Sequence, residues 1–326
     1  MKGEKKMSTF RFAIMGAGRI AVKFCNAVKL LDDCEVCAIA SKSTERADAF
    51  AKKNGIEKYY GGYEQMLEEE KPDCVYIAVT PNDHYRLTML CITHEIPVLC
   101  EKAMFQNSEE AQNAFRAAAQ KNVFIMEALW SRYLPAVNKV RSWVREGRIG
   151  IPEISQFFIG FLAPDEKENR YFNPQLGGGA AKDLTVYAYE ITRYVLEQEI
   201  RKIKVSAKWS DTGVDISNHI SIDFEHTLAD LTASLAAGLE EKMVLYGRYG
   251  KIVMPLPHYA SECMLYDEKG VLLEQFQDLK TENGFVYEIE DVMRCIKDGK
   301  IQSDIVPWQD TLDCAHLFDR IYTTVN

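Results

Sequence analysis

From residue 11 onward, short apolar runs rich in β-branched residues alternate with longer stretches whose apolar residues recur every three or four positions. Runs at 11–15, 36–40, 75–79, 98–100 and 123–126 read as strands, and stretches at 20–31, 44–53, 63–69, 84–94 and 108–119 read as helices. Near-continuous apolar strands are buried on both faces, and strand–helix alternation is what a parallel sheet built from right-handed crossovers requires. After Trp130 the pattern changes. Val137, Val140 and Val144 mark one face of a helix ending near Gly147, and Gly150-Ile151-Pro152 punctuates the chain. Beyond it, Ile220, Ile222 and Phe224 alternate with Ser221, Asp223 and Glu225, and similar runs lie at 204–208, 228–235, 243–246 and 271–276. That period of two predicts an antiparallel sheet with one covered and one freer face. Trp308, Leu312, Ala315, Phe318 and Tyr322 recur at helical spacing, so the tail is expected to fold back onto a core.

The predicted class is therefore α/β, with a doubly wound parallel-sheet domain at residues 1–128 and an α+β domain with an open, mainly antiparallel sheet at residues 129–326; the C-terminal helix is expected to pack back on the first. A net charge of −9 argues against capture of nucleic acid or an anionic membrane and leaves small molecules or other protein chains as partners. Met1 to Ser8 carries three lysines but no apolar core of signal-peptide length, and no stretch reaches the roughly 18 apolar residues of a membrane span, so a cytoplasmic protein is expected. The nine cysteines are scattered, mostly in apolar runs, and read as reduced thiols. Cys34-Glu35-Val36-Cys37 has no second ligand pair at zinc spacing, so no metal is expected.

Three segments carry candidate chemistry. Gly16-Ala17-Gly18-Arg19-Ile20-Ala21 closes the first predicted strand and opens a helix. In such a turn the first glycine permits the tight bend and the second lets backbone approach a pyrophosphate, while the helix N-terminus supplies amide donors. At the end of the second strand, where an NAD-selective site wants an acid, the chain reads Ala40-Ser41-Lys42-Ser43 and then Arg46. Hydroxyls and two cations suit a 2′-phosphate, although solvated residues on a helix entry are the plainer alternative. Thr80-Pro81-Asn82-Asp83-His84 is expected at the carboxyl edge of the sheet, with His84 either reaching a ligand or capping a helix. Glu101-Lys102 ends the next strand at that edge, where an ammonium would hold a hydroxyl and lower the pKa of a nearby phenol. Gly177-Gly178-Gly179 precedes Asp183 and Tyr187, a carboxylate and a phenol one helical turn apart; a dipole-stabilised acid and a packed aromatic are the structural alternatives.

Together these residues resemble the Gfo/Idh/MocA family of nicotinamide-dependent oxidoreductases over nearly the whole chain, and Met126-Glu127-Ala128-Leu129-Trp130-Ser131-Arg132-Tyr133-Leu134-Pro135 is similar to the branch containing dimeric dihydrodiol dehydrogenase and NADP-dependent D-xylose dehydrogenase. The resemblance implies an N-terminal Rossmann domain, a second domain for substrate binding and dimerisation, and a function as an NADP(H)-dependent oxidoreductase of a sugar, cyclic polyol or vicinal diol. It implies Lys102 and Tyr187 as catalytic pair with Asp183 orienting substrate or lysine. Cofactor contacts fall on Gly16, Ala17, Gly18, Arg19, Ile20, Ser41, Thr80, Asn82, His84, Glu101 and Lys102, and the 2′-phosphate on Lys42 and Arg46. Trp130 and Arg132 are candidates for the substrate mouth. A homodimer or dimer of dimers is expected through the freer sheet face, and a non-catalytic nucleotide sensor of the same fold is the rival reading. Two departures stand out: Ala103 replaces the family's proline, which often follows a cis bond, and Thr185 replaces its glycine. Two residues along a helix are about 200° apart, so Thr185 is expected to face away from Asp183 and Tyr187 and to alter packing.

Overall fold

The computed structural model describes residues 9–164 and 169–324, and the leading segment Met1 to Ser8 lies outside them. The chain divides into two compact units. The first comprises residues through Met104, Glu109–Ala128 and Asn283–Trp308; the second comprises Phe105–Ser108, Leu129–Glu282 and the chain from Gln309. The later change of pattern at Trp130 thus falls just inside the second unit, whereas residues 283–308 rejoin the first.

The first unit alternates β1 (Phe10–Met15), α1 (Arg19–Val28), β2 (Cys34–Ala40), α2 (Thr44–Asn54), β3 (Lys58–Tyr60), α3 (Tyr63–Glu70), β4 (Cys74–Ile77), α4 (His84–Thr93), β5 (Val98–Glu101), α5 (Ser108–Lys121) and β6 (Ile125–Ala128). Its strands are all parallel, in the order β3-β2-β1-β4-β5-β6. That is the doubly wound Rossmann order, whose strand sequence reverses between β1 and β4. Phe12 through Met15 are wholly buried, consistent with burial on both faces. Residues Lys58-Tyr59-Tyr60 form an edge strand that carries too short and too exposed a pattern to be read from sequence.

The second unit contains α6 (Pro135–Arg145), β7 (Pro152–Gly160), α7 (Val186–Leu196), β8 (Ile200–Trp209), β9 (Asp215–Phe224), β10 (Leu228–Ser234), β11 (Lys242–Gly247), β12 (Gly250–Pro255), β13 (Glu262–Asp267) and β14 (Leu272–Gln277). These strands make one sheet in the order β14-β13-β12-β11-β7-β10-β9-β8. It is antiparallel except for the pairing of β7 with β10, which runs parallel. The helices α6 and α7 pack together, and the inward residues of β9, Ile220, Ile222 and Phe224, are buried as their alternation requires.

After β14, α8 (Phe285–Lys297) packs on α1, with the Asn283 side-chain amide donating to the Lys23 carbonyl at 2.9 Å. The last helix, α9 (Trp308–Tyr322), begins with a residue of the first unit. The Trp308 indole N–H donates to the Ile125 carbonyl at 2.8 Å and its ring stacks on Phe115, 5.0 Å between centroids. From Gln309 the helix belongs to the second unit, where Cys314, Ala315, Leu317, Phe318 and Ile321 are buried.

Candidate active site

The glycine turn between β1 and α1 is built by exclusion. Gly16 has φ +111°, and a Cβ there would lie 2.6 Å from the Ala78 carbonyl oxygen, so only glycine fits. Gly18 is the N-cap of α1 and has no side chain to cap it, and no acid stands in the first turn. The first amides of α1 are therefore without a side-chain acceptor, an arrangement suited to a phosphate. Ala17 and Ile20 are half-buried and Arg19 is exposed.

At the end of β2, Ser41 is buried with its amide donating to Tyr60, and Ser43 caps α2 by accepting from the Arg46 amide. Lys42 is exposed, but its Nζ lies 2.5 Å from Asp83 Oδ2, and Arg86 reaches the same carboxylate at 3.3 Å. Burial pushes the Asp83 carboxyl up, and the Lys42 ammonium followed by Arg86 more than reverses this, holding it below its ordinary value. Lys42, expected either to meet a phosphate or to stand solvated at the helix entry, already has a carboxylate partner in the fold. The Arg46 side chain is exposed and has no partner among the described residues.

Thr80 leads into a single 3-10 turn, Pro81–Asp83, that opens α4. The Asn82 Oδ1 atom is buried without a hydrogen-bond partner among the described residues. The expectation that His84 contacts a ligand or caps a helix is corrected here. His84 is wholly buried, with Nδ1 2.9 Å from the Ala103 carbonyl and Nε2 3.1 Å from the Val79 carbonyl. Both ring nitrogens are turned to backbone, so the ring ties the loop after β4 to the loop after β5. Burial depresses its basicity, and the two carbonyls oppose that only in part.

The loop after β5 carries Lys102, which is half-buried, and its Lys102–Ala103 peptide is cis although Ala103 is not proline. Beyond it the Met104 amide donates to Glu127 Oε1 at 2.9 Å. Glu101 is buried: its carboxyl accepts from the Tyr76 hydroxyl, and burial raises it above its ordinary value. Glu288 on α8, wholly buried and with both oxygens unpartnered among the described residues, is pushed well up by burial and then by Glu101. Sequence reasoning missed this acid because a glutamate in an amphipathic helix reads as solvated.

In the second unit, Asp183 does not begin an α-helix. Ala181–Thr185 is a π-turn that runs into α7, and Tyr187 is the second residue of α7. Such turns are rare and concentrate at functional sites. Asp215, wholly buried on β9, holds the start of this turn by accepting from the Ala181 amide at 2.8 Å and from the Asn218 side chain at 2.8 Å. Burial raises its carboxyl to about 6, against those hydrogen bonds and the Lys182 charge. Gly179 is required beside it, since a Cβ there would lie 2.4 Å from Asp215 Oδ1. Thr185 is buried and donates to Asn218 Oδ1 at 2.8 Å, so the departure from glycine is absorbed by this network. Asp183 itself is half-buried and 3.3 Å from the Arg170 guanidinium. No sequence signal marked Asp215, because one acid in an alternating strand reads as an outward residue.

Trp130 and Arg132 part company. Arg132 is wholly buried, bonded to Glu190 and 2.7 Å from Asp310 Oδ2. It is a structural cation, not a lining residue, because its guanidinium is consumed by two carboxylates and the Glu190 carbonyl. Trp130 is 7% exposed and meets Tyr259 edge-on at 5.0 Å. Tyr187 is 9% exposed, with the His258 ring 5.1 Å away.

Among the described residues no group of three or more His, Cys, Asp or Glu could hold a metal ion, and no helix is long and apolar enough to cross a membrane. Burial raises the thiols of Cys25 and Cys37 to about 11 and that of Cys34 to about 12, away from the thiolate form that a nucleophilic or metal-binding cysteine needs.

Comparison with known proteins agrees with this geometry. Residues 10–129 match the oxidoreductase family with an NAD-binding Rossmann fold, and residues 137–253 match the GFO/IDH/MocA C-terminal domain. The chain is similar to trans-1,2-dihydrobenzene-1,2-diol dehydrogenase of Danio rerio, 30% identical over 322 residues and covering 95% of each chain. The fold is shared with aldose-aldose oxidoreductase from Caulobacter crescentus, at TM-score 0.87 and 18% identity over 97% of each chain. It is shared equally with levoglucosan dehydrogenase in complex with NADH and levoglucosan, at TM-score 0.87 and 17% identity over 97% of each chain. With the glycine turn on a Rossmann sheet and the open sheet behind the Tyr187 helix both matched, the chain belongs to the Gfo/Idh/MocA family and is an oxidoreductase of the NAD(P)-binding Rossmann type.

Proposed function

We propose that the protein is an NADP(H)-dependent oxidoreductase working at a carbinol or carbonyl carbon of a sugar, cyclic polyol or vicinal diol. The observation that carries the reading is the Gly16–Gly18 turn, where a Cβ is excluded by the Ala78 carbonyl and the N-terminus of α1 is uncapped. The unpartnered Asn82 Oδ1 also fits a ligand that donates to it. Gly16, Ala17, Gly18, Arg19 and Ile20 would hold the pyrophosphate, Ser41, Lys42 and Arg46 the phosphorylated ribose, and Thr80, Asn82 and the backbone at Glu101 the remainder. Of the two cations, Arg46 is the one without a carboxylate partner. When bound, the nicotinamide supplies or accepts the hydride.

The remaining work falls to side chains. Tyr187 exchanges the hydroxyl proton, Lys102 supplies a cation to the same step, and Asp183, held by Arg170, orients substrate. The diol dehydrogenase activity named for the Danio rerio relative and the levoglucosan bound to a structure of the same fold support the substrate class. We also assign a cytoplasmic location and a homodimer or dimer of dimers. Tyr246, Ile154 and Leu228 stand in register on β11, β7 and β10 and are 39%, 37% and 52% exposed, an apolar row suited to a second copy. A monomer in sedimentation at micromolar concentration would count against the dimer.

The test is a panel of sugars, inositols and diols with NADP+ and NAD+, read at the absorbance of reduced nicotinamide. On the active compound, Tyr187→Phe is expected to lower turnover by about 10²–10⁴ while nucleotide binding persists. Near-wild-type turnover would mean that another group carries the proton. Tight nucleotide binding with no turnover on any compound would favour the non-catalytic sensor.

A further inference from the structure

Next to Tyr187, the second unit holds an imidazole to which the proposed reaction gives no task. His258 lies in a single 3-10 turn, Pro257–Tyr259, entered through Leu256 in the left-handed region at φ +45°. The turn is held at both levels by one residue just before β11. The Leu256 amide donates to the Glu241 carbonyl at 3.1 Å, and the Glu241 carboxylate is bonded to His258 Nδ1. Both side chains are mostly sheltered, at 17% and 12% exposure.

A carboxylate on Nδ1 selects the tautomer in which Nδ1 bears the proton and Nε2 offers a lone pair. Among the described residues Nε2 has no hydrogen-bond partner. The ring lies 5.1 Å from that of Tyr187, tilted by 40°, and 4.1 Å from that of Tyr259 at 64°. Tyr259 meets Trp130 edge-on and remains 49% exposed. Phenol, oriented imidazole and two aromatic faces thus form one continuous row within a single unit. Aromatic faces accept the C–H surface of a ring, and a fixed polar atom beside them selects a hydroxyl.

We propose that His258 is a specificity-determining residue for the reaction assigned above: Nε2 accepts the hydroxyl on the carbon adjacent to the reacting carbinol, Tyr259 and Trp130 face the ring carbons, and Glu241 is the positioning residue that aims the imidazole. The preferred substrate is then cyclic and carries two adjacent hydroxyls. The inference rests on Tyr187 being the proton-exchanging group.

The experiment compares trans-cyclohexane-1,2-diol with cyclohexanol, and D-glucose with 2-deoxy-D-glucose, using the full chain and NADP+. His258→Phe keeps a planar ring in place. It is expected to lower kcat/KM on the 1,2-diol member by about 10- to 100-fold and on its partner by less than about threefold, the loss of one selective hydrogen bond. His258→Gln, which restores an acceptor, is expected to recover part of the difference, and Glu241→Gln to give a smaller loss of the same sense. Nucleotide binding, measured by cofactor fluorescence, is expected to stay unchanged in all three variants and reports folding. Equal losses on both members, no loss, or a wild-type protein that does not distinguish or turn over the members overturns the inference. Tyr187→Phe separates the two claims: if it keeps turnover the proton assignment fails, and if it is inactive while His258→Phe is indiscriminate, only the specificity assignment fails.

Discussion

Replacing Asp215 by asparagine tests whether the clamp on the π-turn is a buried acid with a displaced titration. The carboxyl is wholly buried, accepts from the Ala181 amide and the Asn218 side chain at 2.8 Å each, and faces Tyr322 at 3.5 Å and the charge of Lys182. Burial dominates and raises it from 3.8 to about 6. Because the folded value lies above the unfolded one, the stability contributed by the neutral acid is fully present below pH about 4 and is lost as pH rises through about 6. The gap between 3.8 and about 6 corresponds to about 3 kcal/mol at roughly 1.4 kcal/mol per pH unit. Asparagine has the same shape, still accepts a hydrogen bond and does not titrate. Every other titrating group cancels in the difference between the two proteins. The unfolding free energy of Asp215→Asn relative to wild type is therefore expected to rise by about 3 kcal/mol between about pH 4 and about pH 7.5. Urea unfolding at several pH values measures it, followed by tryptophan fluorescence, since Trp209 packs edge-on against Tyr322 at 5.5 Å and reports on this region. A difference constant to within about 0.5 kcal/mol across that range would refute the reasoning and return Asp215 to the ordinary carboxylates.

Two further outcomes are expected. Arg132→Met removes the cation that faces buried Glu190 and half-buried Asp310, and is expected to destabilise the protein by about 3–5 kcal/mol in urea unfolding; a loss below about 1 kcal/mol would show that the three groups are not an ion network. Arg46→Ala is expected to weaken NADPH by about tenfold and leave NADH unchanged, while Lys42→Ala has a smaller effect because Asp83 already offsets its charge. Fluorescence titration with both nucleotides checks this, and equal losses for the two nucleotides would remove the phosphate assignment.

Features that depend on neighbours along the chain are legible in the amino-acid order. Apolar periodicity located the helices and five of the six strands of the parallel sheet, all but the exposed edge strand β3, because burial on both faces leaves an uninterrupted signal, and Gly16 and Gly18 marked the nucleotide turn because only glycine survives there. The motif residues Lys102, Asp183 and Tyr187 were legible as candidates for the same reason. Strands β7, β12 and β13 were not, since a sheet with one freer face tolerates polar and apolar residues alike, and the parallel pairing of β7 with β10 is a matter of register between segments about 75 residues apart. The folded arrangement alone settles which polar groups already have partners. It bound Arg132 to Glu190 and Asp310, turned both nitrogens of His84 onto carbonyls, paired Lys42 with Asp83, and set Asp215 and Glu241 behind the Tyr187 side of the second unit. A buried charge or imidazole is defined by what approaches it from distant segments, and no local pattern of hydrophobic and polar residues records that approach.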